Sequence, residues 1–311
     1  MIAEIFIISG FLGAGKTTLI RKLVSESFQN SKVVLIENDF GDVSVDAALM
    51  KDTNIEVKEL NSGCICCSIS GDFVNSICDL LEKFHPDKII IEPSGVAKLS
   101  DIYKYCLDSR IRDLAKVKTK ITVVDVRRFK KYLDNFGEFF QDQIENADII
   151  LLNRTDESIY PIEDILKSIN NLNKKASILS GAWDDIHLDD LIPSSRKRPD
   201  YKALSGGRVS KRKHEHNHSA HEVFDTITIR TKRTFTREEL TSFIEEITKR
   251  YGENVLRIKG ILRSAEGNLN LQYVPGSTSI TPCHTAGDML CIIGHKLNRQ
   301  DIISMFNGDI Q

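Results

Sequence analysis

The chain has 311 residues, of which 41% are hydrophobic and 28% are charged, a composition that excludes wholesale disorder. Its 42 basic and 44 acidic residues give a net charge of -2, so we expect no general affinity for nucleic acid or anionic membrane. No apolar run approaches the roughly 18 residues that span a bilayer, and the N-terminal segment lacks the basic start of a signal peptide. Seven cysteines, an odd number, argue against a disulfide framework and favour a reducing, cytoplasmic location.

Short β-branched runs in the first part of the chain predict strands that are buried on both faces. They lie at 2–8, 32–36, 88–91, 121–124, 148–152 and 176–179. Helical patterns at 16–25, 72–84 and 161–172 separate several of these runs. Because alternating strands and helices form βαβ units, the pattern predicts an α/β domain with a doubly wound, mostly parallel sheet.

The alternation of strands and helices stops near residue 193. Residues 193–221 are rich in Ser, Gly, Lys, Arg and His and contain almost no large apolar side chains, which indicates a flexible linker. Strand patterns return at 224–230, 255–261, 269–274 and 289–293, and helical patterns lie at 237–251 and 298–306. We therefore predict a first domain at 1–192, a linker at 193–221 and a smaller α+β domain at 222–311.

A phosphate-binding motif follows the first predicted strand and opens the first predicted helix. It reads Gly10-Phe11-Leu12-Gly13-Ala14-Gly15-Lys16-Thr17 and matches G-x-x-x-x-G-K-[ST], so the first domain is predicted to be a P-loop NTPase. Four residues would wrap their backbone around the phosphates: Gly10, Gly13, Ala14 and Gly15. We expect Lys16 to reach the β- and γ-phosphates, Thr17 to bind Mg²⁺, and Thr18 to help hold the α-phosphate.

The predicted strand at 88–91 ends in a carboxylate and is followed by Pro93-Ser94-Gly95, as in a Walker B strand. Ligands of such folds bind at the carboxyl ends of the strands, which is where Glu92 would lie. Glu92 would hold Mg²⁺ through water or orient the attacking water, and Gly95 would contact the γ-phosphate through its N–H. The alternative is a solvated glutamate at the end of a strand.

Asn153-Arg154-Thr155-Asp156 follows another predicted strand and resembles the guanine-binding motif N-K-x-D. The Asp156 carboxylate can accept hydrogen bonds from both N1–H and the 2-amino group of guanine, which adenine does not offer. Arg154 replaces the usual lysine, and its guanidinium can stack on the base as the lysine stem does. The motif favours GTP as the nucleotide, the alternative being a polar turn.

Three cysteines within four residues, Cys64, Cys66 and Cys67, can give thiolates to one soft or borderline metal. Three ligands leave a fourth position open, which suits transfer of the metal better than permanent binding. The segment at 37–46 carries carboxylates that can meet Mg²⁺, a second metal or water. Glu37 and Asp42 would complete the thiolate site. The alternatives are free buried cysteines, a redox pair and solvated acids.

A histidine tract lies within the predicted linker. His214, His216 and His218 alternate with other residues, and such a tract can chelate Zn²⁺, Ni²⁺ or Co²⁺ for loading or buffering. The alternative is a merely polar linker. The residue types do not select one of these metals, because affinity order alone does not set cellular choice.

Taken together, these motifs resemble the CobW-type metallochaperone GTPases, a family similar to the urease and hydrogenase nickel-insertion GTPases. The resemblance is carried by 10–18, 37–41, 63–67, 92–95, 153–156 and the stretch 143–148 before the guanine motif, and the Cys-x-Cys-Cys run is its most specific part. It covers nearly all of 1–192 and, more loosely, 222–311. It implies GTP hydrolysis, with Lys16, Asp39 and Glu92 as the catalytic group, coupled to delivery of Zn²⁺, Co²⁺ or a related ion to a client metalloprotein.

The chain departs from the family pattern at three places. Asp39 stands where the family usually has Glu, Pro93-Ser94 replaces a commoner Cys-Thr or Thr-Thr, and Arg154 replaces Lys. The first two bear on turnover rate more than on nucleotide class. The leading hypothesis is a metal carrier gated by the nucleotide. The rivals are a regulatory GTPase with a redox-sensing cysteine cluster and an ATP-dependent kinase or ATPase. The sequence leaves the oligomeric state open, with a homodimer among the alternatives.

Overall fold

The computed structural model describes residues 2–37, 55–59, 70–158, 160–181, 191–192 and 223–307, with side chains described outside 55–59 and 70–72. In the first part of the chain the strands are β1 (Ala3–Gly10), β2 (Val33–Glu37), β3 (Ile55–Glu59), β4 (Lys88–Glu92), β5 (Ala115–Asp125), β6 (Ile149–Asn153) and β7 (Ser177–Ser180). They form one sheet in the order β3-β2-β4-β1-β5-β6-β7, and every pairing in it is parallel.

Helices connect these strands. They are α1 (Lys16–Lys22), α2 (Ser70–Phe84), α3 (Leu99–Cys106), α4 (Ser109–Arg112), α5 (Phe129–Asn135), α6 (Gly137–Glu145) and α7 (Ile162–Leu172). α1 continues into a π-helical turn at Leu23–Ser27. None of the helices within the described ranges is both long and apolar enough to span a bilayer.

Two separate hydrophobic clusters cover the faces of the parallel sheet. Residues of β1 alternate between them, with Ile5 and Ile7 in one cluster and Phe6 and Ile8 in the other. This double burial explains why β1 is apolar at nearly every position. The chain builds β2 to β4 on one side of β1 and β5 to β7 on the other, so the loop after β1 lies at the topological switch point, where such sheets bind ligands.

The C-terminal part forms a second sheet. Its strands are β8 (Asp225–Arg230), β9 (Val255–Ser264), β10 (Gly267–Val274), β11 (Ser277–Cys283) and β12 (Met289–Gly294), in the antiparallel order β11-β10-β9-β12-β8. α8 (Arg237–Tyr251) and α9 (Arg299–Asn307) pack on one face. α8 begins with a capping box, in which the Thr236 hydroxyl accepts from Glu239 N–H and the Glu239 carboxylate accepts from Thr236 N–H.

The second sheet packs directly on the first part of the chain. Phe224, 2% exposed, belongs to the same hydrophobic cluster as Phe11, Phe136 and Phe139. Its ring centroid lies 6.3, 5.3 and 5.2 Å from those of the three phenylalanines. Cys291 and Ile293 of β12 and Leu256 of β9 join the cluster. One continuous apolar core therefore fixes the two sheets against each other.

The predicted fold class is confirmed, with an α/β parallel sheet followed by a smaller α+β unit. The sequence pattern did not predict β3, β11 or the short helices α3 to α6, and β5 begins six residues before the predicted start at 121. β3 and β11 are edge strands, and the first half of β5 is polar, so none of them shows the continuous apolar run that was sought. The boundaries at residues 192 and 222 stay a prediction, and the linker between them lies outside the described residues.

Candidate nucleotide-binding site

The loop between β1 and α1 makes a tight turn at the switch point. The Ala14 N–H donates to the Phe11 carbonyl at 3.1 Å. Gly15 precedes the helix with φ of +111°, in a region that favours glycine. The loop therefore leads into the N-terminus of α1 in the geometry that phosphate loops require.

Lys16, Thr17 and Glu92 come together beside this loop. The Lys16 side chain is buried, donates to the Gly10 carbonyl at 3.1 Å, and lies 3.8 Å from Glu92 Oε1. The Thr17 hydroxyl lies 3.5 Å from both Glu92 carboxylate oxygens. A hydroxyl and a carboxylate are the oxygen donors that Mg²⁺ takes, so the chemistry of this pair fits that ion.

The segment after β4 packs on the phosphate loop. A Cβ added at Gly95 would lie 2.8 Å from the backbone nitrogen of Leu12, so only glycine fits there without a shift. Gln143 of α6, fully buried, donates from Nε2 to the carbonyls of Gly95 at 3.0 Å and Ala97 at 2.9 Å. Gln143 lies in the stretch that resembles the family, but no site role was predicted for it; the structure shows that it fixes the backbone around Gly95.

Two residues of the guanine-type motif bind the phosphate loop. The Asn153 side chain donates to the Ala14 carbonyl at 2.8 Å, and Arg154 Nη1 donates to the Gly13 carbonyl at 3.0 Å. The motif predicts that the Arg154 guanidinium can stack on the base, whereas in the structure it binds the loop. Asp156 lies exposed in the 3₁₀ turn that follows β6.

Asp125, at the end of β5, is a second residue that the sequence analysis missed. Its carboxylate is 4% exposed and accepts from Arg127 Nε at 3.0 Å, Arg127 Nη2 at 2.9 Å and Arg154 Nη1 at 2.5 Å. Burial acts to raise the pKa of Asp125, but the bonds from Arg127 and the charges of Arg154 and Arg127 outweigh it and hold the pKa below its ordinary value. The available signal was a carboxylate that ends a buried strand, as Glu92 ends β4.

The carboxyl edge of the sheet collects the polar residues of the site. Glu37 pairs in register with Glu92, and Asp125 pairs with Asn153. Glu37, a predicted metal ligand, is 7% exposed at the end of β2. Thr18, expected to help hold the α-phosphate, is exposed on α1. The geometry thus brings the predicted phosphate, magnesium and base residues to one edge.

A cavity of about 380 Å³ opens beside the phosphate loop. Its described lining from the first sheet and α1 comprises Gly13, Gly15, Lys16, Thr17, Thr18, Arg21, Glu92 and Arg154. Its described lining from the second sheet comprises Arg257, Gln272, Tyr273, Val274, Ser277 and Ser279. Residues of the C-terminal sheet therefore form part of the wall, which the sequence analysis did not anticipate.

Several predicted site residues lie outside the described residues. They are Asp39, Asp42, Cys64, Cys66, Cys67, His214, His216 and His218. Within the ranges that are described, no three His, Cys, Asp or Glu side chains cluster as a metal site would require. The predicted thiolate site therefore rests on the sequence.

The fold and the site define a P-loop nucleotide-binding protein. Residues 4–180 match the family model described as "CobW/HypB/UreG, nucleotide-binding domain", and residues 224–308 match "Cobalamin synthesis protein cobW C-terminal domain". The chain belongs to the CobW/HypB/UreG family.

Several characterised proteins are similar in sequence. "Zinc chaperone CobW" of Sinorhizobium sp is 36% identical over 178 residues, covering 48% of this chain and 50% of that protein. "Zinc chaperone YjiA" of Escherichia coli (strain K12) is 32% identical over 188 residues, covering 58% of each. The chain thus spans about half the length of these curated relatives. The crystal structure of the Zn(II)-bound YjiA GTPase from E. coli aligns over 100% of both chains at 20% identity, with a TM-score of 0.47.

Proposed function

We propose that this chain binds and hydrolyses GTP and couples that cycle to carrying a transition metal, with zinc first among the alternatives, to a client protein. The observation that carries the proposal is the convergence at the carboxyl edge of the sheet, in a member of the CobW/HypB/UreG family. Lys16, Thr17 and Glu92 meet beside the phosphate loop. Asn153 and Arg154 donate hydrogen bonds to carbonyl groups of the same loop. The relatives named zinc chaperones support the metal.

The phosphate chemistry follows from the residues around the loop. Lys16 and the N-terminus of α1 would hold the β- and γ-phosphates. Thr17 and Glu92 would hold Mg²⁺, which when bound neutralises charge that develops on the phosphates. Glu92 can alternatively orient the attacking water, with Asp39 in the same catalytic group, and Gly95 N–H would meet the γ-phosphate.

Base selection tests the nucleotide part of the proposal. Asp156→Asn should weaken GTP binding and admit xanthosine triphosphate, because the amide donates where the carboxylate accepts. Asp164→Asn, an exposed aspartate on α7, is the matched control and should bind GTP as the unsubstituted chain does. Titration with both fluorescent nucleotides decides the matter, and an Asp156→Asn protein that keeps its GTP preference contradicts the guanine assignment.

The metal part of the proposal rests on Cys64, Cys66 and Cys67, with Glu37 and Asp42 as further ligands. Nucleotide gating requires metal affinity to differ between the GTP and GDP forms, and a hundredfold difference corresponds to about 2.7 kcal/mol of coupling. Linkage then requires the metal to tighten GTP binding by the same factor. Thiolates must lose protons to bind, so affinity should fall at acid pH.

A competition titration with Zn²⁺, Co²⁺ and Ni²⁺ in GTP, in GDP and without nucleotide tests the gate. Equal metal affinity in the three conditions refutes it. Partner binding that persists in metal-free, reducing buffer would favour a regulatory GTPase instead.

The histidine tract at His214, His216 and His218 would load or buffer the ion. The cytoplasmic location and the homodimer stay predictions.

A further inference from the structure

The C-terminal sheet presents two different faces. One face packs on α8 and α9 through residues such as Ile258, Leu262 and Leu290. Because side chains alternate along a strand, the residues between them point to the opposite face. That second face is apolar at β12, where Cys291 and Ile293 meet the aromatic core. Polar side chains also lie on this face, Arg257 on β9, Gln272 on β10, and Ser277 and Ser279 on β11, and apolar Leu256 of β9 lies on it beside them.

The polar part of this face lies against the phosphate loop. Gln272 pairs with Ser279, and Val274 pairs with Ser277. Arg257 precedes Ile258, which pairs with Tyr273. Gln272, Ser277, Ser279 and Arg257 all line the cavity that Lys16, Thr17 and Glu92 also line. We call Arg257, Gln272, Ser277 and Ser279 the polar wall.

Direct contact holds the polar wall in place. A Cβ added at Gly13 would lie 2.8 Å from Val274 Cγ1, so the end of β10 touches the phosphate loop. A Cβ added at Gly276, in the β10–β11 turn, would lie 2.9 Å from Arg128 Nη2. Lys131 of α5 forms an ion pair with Glu253, which precedes β9. The contacts on both sides keep the wall over the loop.

The charge of the cavity fits a polyphosphate. Among the lining residues that the structure describes, Lys16, Arg21, Arg154 and Arg257 are basic and Glu92 is the single acid. Three of the four basic residues come from α1 or the segment after β6, and Arg257 comes from the second sheet. A strong positive excess in a partly closed cavity suits an anion with several charges.

We propose that the C-terminal sheet completes the phosphate site, with Arg257 donating hydrogen bonds to the terminal phosphate of the bound nucleotide. The guanidinium would approach from the side opposite the phosphate loop and stabilise the charge that builds up during hydrolysis, which is the role of an arginine supplied within the same chain. The Gln272 amide and the Ser277 and Ser279 hydroxyls would add neutral donors. This inference rests on the proposed GTPase function.

The test compares Arg257→Ala and Arg257→Lys with Arg263→Ala in the full chain. Arg263 lies on the same strand, is exposed and does not line the cavity, so it is a matched control. Fluorescent GTP and GDP titrations give affinities, and single-turnover hydrolysis at saturating GTP gives the rate. We expect Arg257→Ala to bind GTP about tenfold more weakly, to change GDP affinity by less than about threefold, and to hydrolyse about a hundredfold more slowly.

Arg257→Lys separates a phosphate ligand from a structural role. Lysine keeps the charge and the long side chain but lacks the planar guanidinium. GTP affinity should therefore fall less than in Arg257→Ala, whereas hydrolysis should be at least about tenfold slower than in the unsubstituted chain. If Arg257→Ala melts at a lower temperature, Arg257→Lys decides the question. Unchanged turnover in Arg257→Lys, or equal losses in Arg263→Ala, overturns the inference.

The outcome for the unsubstituted chain keeps the two proposals apart. If it binds and hydrolyses GTP and the Arg257 variants match it, the GTPase proposal stands and the polar wall has no part in phosphate binding. If it neither binds nor hydrolyses GTP, both proposals fall.

Discussion

A single buried carboxylate, that of Asp125, receives two guanidinium groups at the carboxyl edge of the parallel sheet. Arg127 also forms an ion pair with Glu157, and Arg154 also donates a hydrogen bond to the Gly13 carbonyl. The phosphate loop and the turn that follows β6 are therefore tied to one residue of β5. Such a network fixes geometry more than it adds stability, because burying the charge offsets much of the attraction.

Asp125→Asn keeps the shape of the side chain and removes the charge that faces both arginines. We expect the free energy of unfolding to fall by about 2 kcal/mol, since the guanidiniums lose a charged acceptor in a nearly buried position. Urea titration followed by circular dichroism measures this change. Asp113→Asn, whose carboxylate is 84% exposed, is the control and should unfold as the original chain does. Equal urea midpoints for Asp125→Asn and Asp113→Asn would contradict a stabilising role of the Asp125 charge.

Acid should remove the contribution of Asp125. Folding lowers its pKa from 3.8, so the carboxylate stabilises the folded state above that pH and loses this effect as the pH falls through the lower, folded value. The stability difference between the original chain and Asp125→Asn should be constant from about pH 7 to pH 5 and should shrink below about pH 4. Urea midpoints across this range test the sign, and a difference that persists unchanged at pH 3 would count against it.

Motif spacing predicted some of the candidate site and could not predict the rest. The phosphate-loop motif contains Lys16 and Thr17, and the Walker B pattern contains Glu92. These two motifs lie side by side in P-loop folds, and the structure brings the three residues together. Asp125 carries a weaker signal, since many strands end in an acid. Arg257 carries none, because its place at the cavity depends on how two sheets pack.

α6 acts on the candidate site through Gln143, which holds the carbonyls of Gly95 and Ala97. Gln143→Met keeps the side-chain volume but removes both hydrogen bonds from Nε2. The carbonyls of Gly95 and Ala97 then lose these bonds. We expect a loss of about 2 kcal/mol in stability and slower GTP hydrolysis, because the Gly95 backbone is no longer fixed. Gln141→Met, on the same helix and partly exposed, should change neither quantity. Thermal melts and turnover assays test this, and wild-type turnover in Gln143→Met would refute the positioning role.

The end of β10 lies against the phosphate loop, and a double substitution tests that contact. Gly13→Ala should weaken nucleotide binding, both because its φ is +71° and because the new methyl would meet Val274. Val274→Ala removes the two methyl groups nearest that position, so it should recover part of the loss. Nucleotide affinities of the two single variants and the double variant form the cycle. Strictly additive effects would mean that β10 does not touch the loop in solution.

The type of an element was predictable from the sequence where both faces of a strand are buried. β1, β2, β4 and β6 are apolar because both faces are covered, and the sequence shows this directly. α8 was predicted at its observed bounds from its apolar spacing alone, and the structure adds the Thr236 cap at its start. β11 reads Ser-Thr-Ser-Ile-Thr-Pro-Cys and is largely exposed, so only its pairing with β10 makes it a strand.

At the scale of the whole molecule, the two sheets share an aromatic core beside the phosphate loop. Phe11 is part of the loop, and its ring contacts those of Phe136 and Phe224 at centroid distances of 5.4 and 6.3 Å. The loop therefore meets the C-terminal part of the chain at two places, Phe11 against Phe224 and Gly13 against Val274. If nucleotide binding changes the docking of the sheet, linkage requires docking to change nucleotide affinity by the same free energy.

Phe224→Ala tests this link between docking and nucleotide binding. The side chain is 2% exposed among Phe11, Phe136 and Phe139, so its removal should cost about 3–5 kcal/mol of packing between the sheets. We expect faster proteolysis of the chain, because the two sheets are less firmly docked, and weaker GTP binding, because the polar wall is no longer held over the loop. Phe84→Ala, at the end of α2 and only partly buried, should leave both unchanged. If GTP protects the original chain from the protease but not Phe224→Ala, the nucleotide stabilises the docked arrangement. Equal protection of the two would mean that the phosphate loop binds GTP without the C-terminal sheet.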